Sequence, residues 1–262
     1  MSDSRESGDA RAPTPASGPA GRRVRIDRLL VERGLFESRA RAQAAIAAGL
    51  VRAGGEVIAK PSAEVEADAD ITATDVHDYV SRGALKLEAA LDAFGIDPAG
   101  LVALDVGAST GGFTEVLLRR GARRVHAVDV GRDQFHPRLA TLPQVRVMEG
   151  TDIRTLDRAA IPEPVDLVVI DVSFISLALV LPAALAFAGP HARLVALVKP
   201  QFEAGRAAVK KGVVRDAQVH EAVCLKVEEE IRGLGWRLLG RIPSPIAGGD
   251  GNREFLLGAE RA

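Results

Sequence analysis

The chain has 262 residues, 47% of them hydrophobic, and a formal net charge of −1, enough for one good-sized domain beside a smaller one. No apolar run is long enough to span a bilayer, and a single cysteine, Cys224, excludes an internal disulfide framework and fits a reducing, cytoplasmic setting. Five histidines are scattered without ligand spacing, so no metal site is expected.

Residues 1–21 are rich in Ser, Gly, Pro and Ala and read as a disordered tail without the apolar core of a signal peptide. A compact unit is expected over 22–76. Ile26, Leu29 and Leu30 fall at helical spacing, and Gly34 stops that helix. Ser38 reads as the N-cap of a second helix that ends at Gly49. A hairpin with a Gly54-Gly55 turn follows, and Asp70–Thr74 supplies a further strand. Between Arg22 and Lys60 there are nine Lys/Arg (22, 23, 25, 28, 33, 39, 41, 52, 60) and four Asp/Glu (27, 32, 37, 56), a local charge of 9 − 4 = +5. Such an excess is the footprint of phosphate contact, or simply a solvated surface.

The pattern Arg25-x-Asp27-x-x-Leu30, Gly34, Ser38-Arg39, Ala42, Ile46, Gly49 and Val51 resembles an S4 RNA-binding domain, a small α+β fold. The resemblance implies phosphate contacts from Arg25, Arg28, Ser38, Arg39 and Arg41. The Gly54-Gly55 turn departs from that family's usual Asn-Gly, but both pairs tolerate positive φ.

Residues 77–83 read as a linker and 84–262 as the larger domain. ALKLEAALDAF (84–94) is an amphipathic helix. Apolar strands at 101–105, 124–128, 145–148, 165–170 and 193–198 then alternate with helices, which argues a parallel sheet covered on both faces. WRLLGRI and REFLLGAE add two strands joined by a loop without a helix, hence an antiparallel pair. The most informative stretch is LVALDVGASTGGFTEV (101–116). It is a strand ending in Asp105, a turn built on Gly107, Gly111 and Gly112, and a helix opening at Phe113. Its glycines keep backbone amides open to a ligand. Asp129, after the next strand and about 20 residues on, is where such folds grip a ribose diol. The glycines depart from G-x-G-x-x-G, and Asp105 would repel a pyrophosphate but suit a cationic head. S-adenosylmethionine is therefore favoured over a dinucleotide.

Residues 79–259 resemble the FtsJ-like (RrmJ-type) ribose 2′-O-methyltransferases, carried by SRGALKL (81–87), DVGASTGGFTEVLL (105–118), DLVVIDVSFISL (166–177), LVKPQFEAGR (197–206) and NREFLL (252–257). With the S4 unit in front, the chain resembles the TlyA (haemolysin A-like) family of ribosomal RNA methyltransferases. The resemblance implies a Rossmann-like, S-adenosylmethionine-dependent domain whose mostly parallel sheet has one antiparallel strand. It implies ribosomal RNA or ribosomal subunits as partners, cytidine as the methylated nucleotide, and a catalytic set of Lys86, Asp171, Lys199 and Glu254. It places Asp105, Gly107, Ser109, Gly111, Gly112, Phe113, Asp129 and Asp152 around the cofactor, with Asp152 near the adenine and equally readable as a helix cap. Arg206, Lys210, Lys211 and Arg215 read as a mobile basic loop on the RNA side, or a solvated one. Lys199 serves as a base, or both lysines stay charged and stabilise the developing alkoxide; the residues leave both open. The competing readings are a pseudouridine synthase, which lacks its Gly-Arg-Leu-Asp-like turn here, and a non-catalytic RNA-binding or ribosome-assembly factor. A lytic protein would need a strongly amphipathic cationic helix or a spanning segment.

Overall fold

The computed structural model describes residues 22–36, 38–73, 78–205, 208–248 and 251–262. The reading of 1–21 as a tail therefore lies outside the described residues, as does the site expected at Arg206. The chain divides into two compact units between Asp78 and Tyr79.

In the first unit, β1 (Arg23–Arg25) runs straight into α1 (Ile26–Glu32), and Gly34 at φ +69° turns the chain out of that helix. α2 (Arg39–Ala47) starts at Ser38, whose hydroxyl accepts from the Arg41 amide at 3.3 Å. A Gly54-Gly55 turn, both φ positive, joins β2 (Val51–Ala53) to β3 (Glu56–Val57). β4 (Glu64–Glu66) pairs with β1, and β5 (Ile71–Ala73) pairs with the free side of β2. Ile26, Leu30, Phe36, Ala42, Ile46 and Val51 form one buried core between the helices and the strands.

The second unit opens earlier than the sequence predicts. Tyr79 and Val80, read as linker, are buried: Tyr79 packs in a cluster with Leu87 and Phe113, Val80 in one with Ala108 and Phe135. The Val80 amide also donates to Glu115 at 2.6 Å. Burial of two large apolar side chains outweighs the freedom a tether would keep. The elements that follow are α3 (Ala84–Phe94), β6 (Val102–Val106), α4 (Gly112–Arg119), β7 (Arg124–Val128), α5 (Pro137–Ala140) and β8 (Val145–Met148). Then come β9 (Val165–Ile170), α6 (Leu177–Leu185), β10 (Ala188–Val198), α7 (Pro200–Glu203), α8 (Ala217–Gly233), β11 (Trp236–Pro243) and β12 (Phe255–Arg261).

Seven strands form one sheet in the order β11-β12-β10-β9-β6-β7-β8. β12 runs antiparallel to both its neighbours, and the other pairings are parallel. Within β9, Leu167 and Val169 join the core that includes α3 and α4, while Val168 and Ile170 join the core that includes α6 and α8. Both faces of the strand are thus covered, which is why it reads as an unbroken apolar run. β10 begins five residues before the strand read at 193, because its first turn, Ala188–Ala192, meets β9 only at Val165 before the register shifts. From β6 the chain moves out to β7 and β8, then returns to β9 on the other side of β6. This reversal leaves a crevice at the carboxyl ends of β6 and β9, where ligands bind in such sheets.

Candidate active site

A cavity of about 530 Å³ lies in that crevice, walled among others by Gly107, Ser109, Asp129, Thr151, Asp152, Asp171 and Ser173. The size suits a nucleoside-sized ligand. Asp129, just past β7, is held by two backbone amides: Ser109 donates to one carboxylate oxygen and Gly131 to the other, each at 2.7 Å. Each oxygen keeps a lone pair for a vicinal diol. Asp152 caps the short 3₁₀ turn Ile153–Thr155, and Arg154 grips its carboxylate at 2.6 Å. The guanidinium holds that carboxyl below the usual range. Asp152 is therefore a cap and a cavity wall at once.

The glycine turn works differently from its sequence reading. Gly107 sits at φ +86°, and a Cβ there would come under 3.0 Å from the carbonyl oxygen of Asp171. A Cβ on Gly112 would strike the Ser81 hydroxyl equally closely. These two glycines let the end of β9 and the start of α3 close onto the turn, besides leaving room for a ligand. Gly111 packs on Phe135 and Leu139, and Phe113 is 4% exposed in the core. Their side of the turn faces away from the cavity.

Asp105 needs a larger correction. It is fully buried within β6, accepts from the Thr114 hydroxyl at 2.6 Å, and does not wall the cavity. Burial, with Asp171 and Asp129 nearby, pushes its carboxyl up to about 7 against the pull of Thr114. The folded protein thus keeps a proton that the unfolded chain releases near pH 4. Stability is lost as pH rises from about 4 through about 7, by up to about 4 kcal/mol at about 1.4 kcal/mol per pH unit. Asp105→Asn keeps the acceptor for Thr114 and removes the proton. Its melting temperature should gain on the wild type between about pH 5.5 and pH 8; parallel curves would contradict the assignment.

The four expected catalytic residues come together in two ion pairs at the carboxyl edge. Lys199, directly after β10, lies 2.6 Å from Asp171 Oδ1, directly after β9. Lys86, in the first turn of α3, donates to Glu254, directly before β12, at 2.6 Å. Val198 is the register partner of Phe255, so Lys199 and Glu254 occupy the next position along that antiparallel pair. A Cβ on Gly83 would lie 4.0 Å from Asp171 Oδ2, which brings the start of α3 to the same place. Both lysines are over nine-tenths buried. Buried ion pairs are poor sources of stability, because desolvation offsets the attraction.

The sequence reading missed Ser173, whose Oγ accepts from Lys199 Nζ at 2.9 Å. It also missed what holds the basic loop. Asn252 accepts from the Val214 amide at 3.2 Å and donates to the Gly212 carbonyl at 2.9 Å, and His220 meets the Val214 carbonyl. Residues 212–214 are thus pinned rather than loose.

In the first unit, Asp27 is closed to solvent and accepts from Arg25 at 3.1 Å, Arg39 at 2.7 Å and Gln43 at 3.0 Å. Those partners hold its carboxyl far below the usual range, Arg25 foremost. Two of the expected phosphate contacts, Arg25 and Arg39, are therefore fixed side by side on one buried acid. The i,i+2 spacing of Arg25 and Asp27 was the available signal. Arg28 is exposed beside Glu32, and Ser38 spends its hydroxyl on the α2 cap.

The FtsJ-like methyltransferase model matches residues 79–261, and the S4 domain model matches 24–71. A 16S/23S rRNA (cytidine-2′-O)-methyltransferase TlyA of Mycobacterium tuberculosis is 48% identical over 239 residues, covering 90% of this chain and 89% of that protein. Hemolysin A of Brachyspira hyodysenteriae is 35% identical over 89% of this chain and 98% of its own. A solved structure of a hemolysin candidate from Streptococcus thermophilus superposes with a TM-score of 0.73 at 41% identity, covering 92% of this chain and 89% of that one.

Proposed function

The chain belongs to the FtsJ-like methyltransferase family, with an S4 domain ahead of the catalytic one, and on that premise we propose that it methylates ribose 2′-hydroxyls of cytidine in ribosomal RNA, using S-adenosylmethionine in the cytoplasm. The observation that carries this reading is the pairing of Lys199 with Asp171, which walls the acid-lined cavity, and of Lys86 with Glu254 at the same carboxyl edge of the sheet. The walls fit the cofactor: Asp129 offers a carboxylate to the ribose diol, Asp152 stands ready at the base end, and Asp171 presents negative charge toward a sulfonium. When bound there, the cofactor supplies an electrophilic methyl group.

The chain's own residues do the rest. A ribose hydroxyl attacks poorly while it keeps its proton, so the site must favour the negative charge that grows on its oxygen. Lys199 meets that oxygen, as acceptor of its proton or as the cation beside it. Asp171 holds the Lys199 amine in place, and the Lys86–Glu254 pair completes the surrounding charge pattern. Fixing oxygen and methyl donor in line contributes a further large share of the rate. Arg25 and Arg39, clamped on Asp27, anchor RNA phosphates through the S4 unit. The test is transfer of labelled methyl from S-adenosylmethionine to purified ribosomal subunits and to naked ribosomal RNA. The proposal expects label in RNA of at least one substrate; label in neither would overturn it.

A further inference from the structure

We infer that Ser173 is a positioning residue for methyl transfer, acting through Lys199; this rests on the proposed function. Among the described residues, Lys199 Nζ donates a hydrogen bond to Ser173 Oγ at 2.9 Å and lies in ion-pair range of Asp171 Oδ1, 2.6 Å away, without a hydrogen-bond angle to it. A lysine nitrogen has three positions beyond its carbon. The directed bond to Ser173 takes one of them and the ion pair with Asp171 lies beside it, and together they fix how the amine is turned, whether the remaining position carries a proton or a lone pair. Asp171 alone would leave the amine free to swing about that single contact. Ser173 is itself exposed and walls the cavity, so this anchor joins the amine to the cavity wall.

The surrounding chain is built to keep that hydroxyl in place. The next residue, Phe174, adopts φ +64°, a left-handed conformation that a phenylalanine seldom takes. Such strain persists only where neighbours enforce it. Phe174 itself is 91% exposed, so what holds the loop is the segment after Lys199, which meets it at successive points. The Phe202 ring lies 4.9 Å from that of Phe174. The Glu203 carboxylate accepts from the Ser176 hydroxyl at 2.6 Å and the Leu177 amide at 2.7 Å. The loop that carries Asp171 and Ser173 is therefore fastened to the segment that carries Lys199, and the serine supplies the hydrogen bond of that fastening at the amine.

The test compares Ser173→Ala and Ser173→Thr in the full-length protein. Alanine should lower kcat about 10- to 100-fold, the scale of a small misalignment. KM for RNA and the calorimetric Kd for S-adenosylmethionine should stay within about threefold, because the wall loses one oxygen only. Threonine keeps the hydroxyl and should recover most of the rate. A second readout is independent of turnover: the ¹⁵N resonance of Lys199 Nζ, sharp in the wild type, should broaden in Ser173→Ala and return in Ser173→Thr. Unchanged kcat and an unchanged resonance in the alanine variant would overturn the inference, as would a loss in cofactor affinity that matches the loss in rate. If the wild type itself transferred no methyl, the proposed function would fail, and the resonance would still show whether Ser173 anchors the Lys199 amine.

Discussion

Replacing Lys199 with alanine should lower methyl transfer about 100- to 10,000-fold, the range expected for loss of a positioned proton acceptor or a charge aimed at a developing oxyanion. The cofactor should still bind within about threefold of the wild type. Lys199 contacts Asp171 and Ser173 of the cavity wall and is not itself one of the wall residues. The variant leaves Asp171 half-buried without its cation, which costs stability. Calorimetric binding of S-adenosylmethionine separates the two effects, since a site that still takes the cofactor is folded. Full activity in this variant would remove Lys199 from the mechanism.

The second large effect is expected at Gly107. Gly107→Val places a branched side chain where the Asp171 carbonyl oxygen already lies, under 3.0 Å from the new Cβ, in a backbone at φ +86°. Left-handed strain costs about 1–2 kcal/mol and the overpacking about 1–3 kcal/mol more. The clash can be relieved only by moving Asp171 or the turn, and either shift separates the cavity wall from Lys199. Both cofactor binding and transfer should be lost. Gly121→Ala is the control: its φ is +85°, but its Cβ would meet nothing closer than 3.5 Å. It should cost about 1–2 kcal/mol in stability and leave cofactor binding intact. Equal losses of binding in the two variants would show that strain, and not the approach of Asp171, is what matters at Gly107.

Much of this arrangement was legible in the amino acids. Asp171 and Lys199 each close an unbroken apolar run, so their place at a strand's carboxyl end followed from periodicity. The antiparallel pairing of the last two strands followed from a connection with no helix in it, and the family resemblance supplied the single antiparallel strand. Lys86 and Glu254 are another matter. Taken alone, each reads as a surface residue, and only the family resemblance raised them; nothing local announces a contact across 168 positions of chain. Asp105 and Phe113 were misplaced because a motif gives positions along the chain and not the side to which a side chain points. Asp105 lies inside β6 under α4, and Phe113 turns into the core. Asp27 stood in the S4 pattern without a role, and Ser173 inside a longer motif, because a serine after a strand and an acid at the start of a helix are ordinary residues. Their work appears only when distant partners fold onto them. Tyr79 and Val80 looked like tether because a short apolar pair beside Asp78 carries no period, yet burial decides their place.

The central claim is that the acceptor is a ribose oxygen held beside Lys199, and alkaline hydrolysis of the labelled RNA tests it most directly. Alkali cleaves RNA through the free 2′-hydroxyl, so a methylated ribose blocks cleavage at its own phosphate. After reaction with labelled S-adenosylmethionine, the label should survive in alkali-resistant dinucleotides whose methylated member is cytidine. Label recovered in mononucleotides would mean that a base, not the sugar, received the methyl group, and would contradict the account.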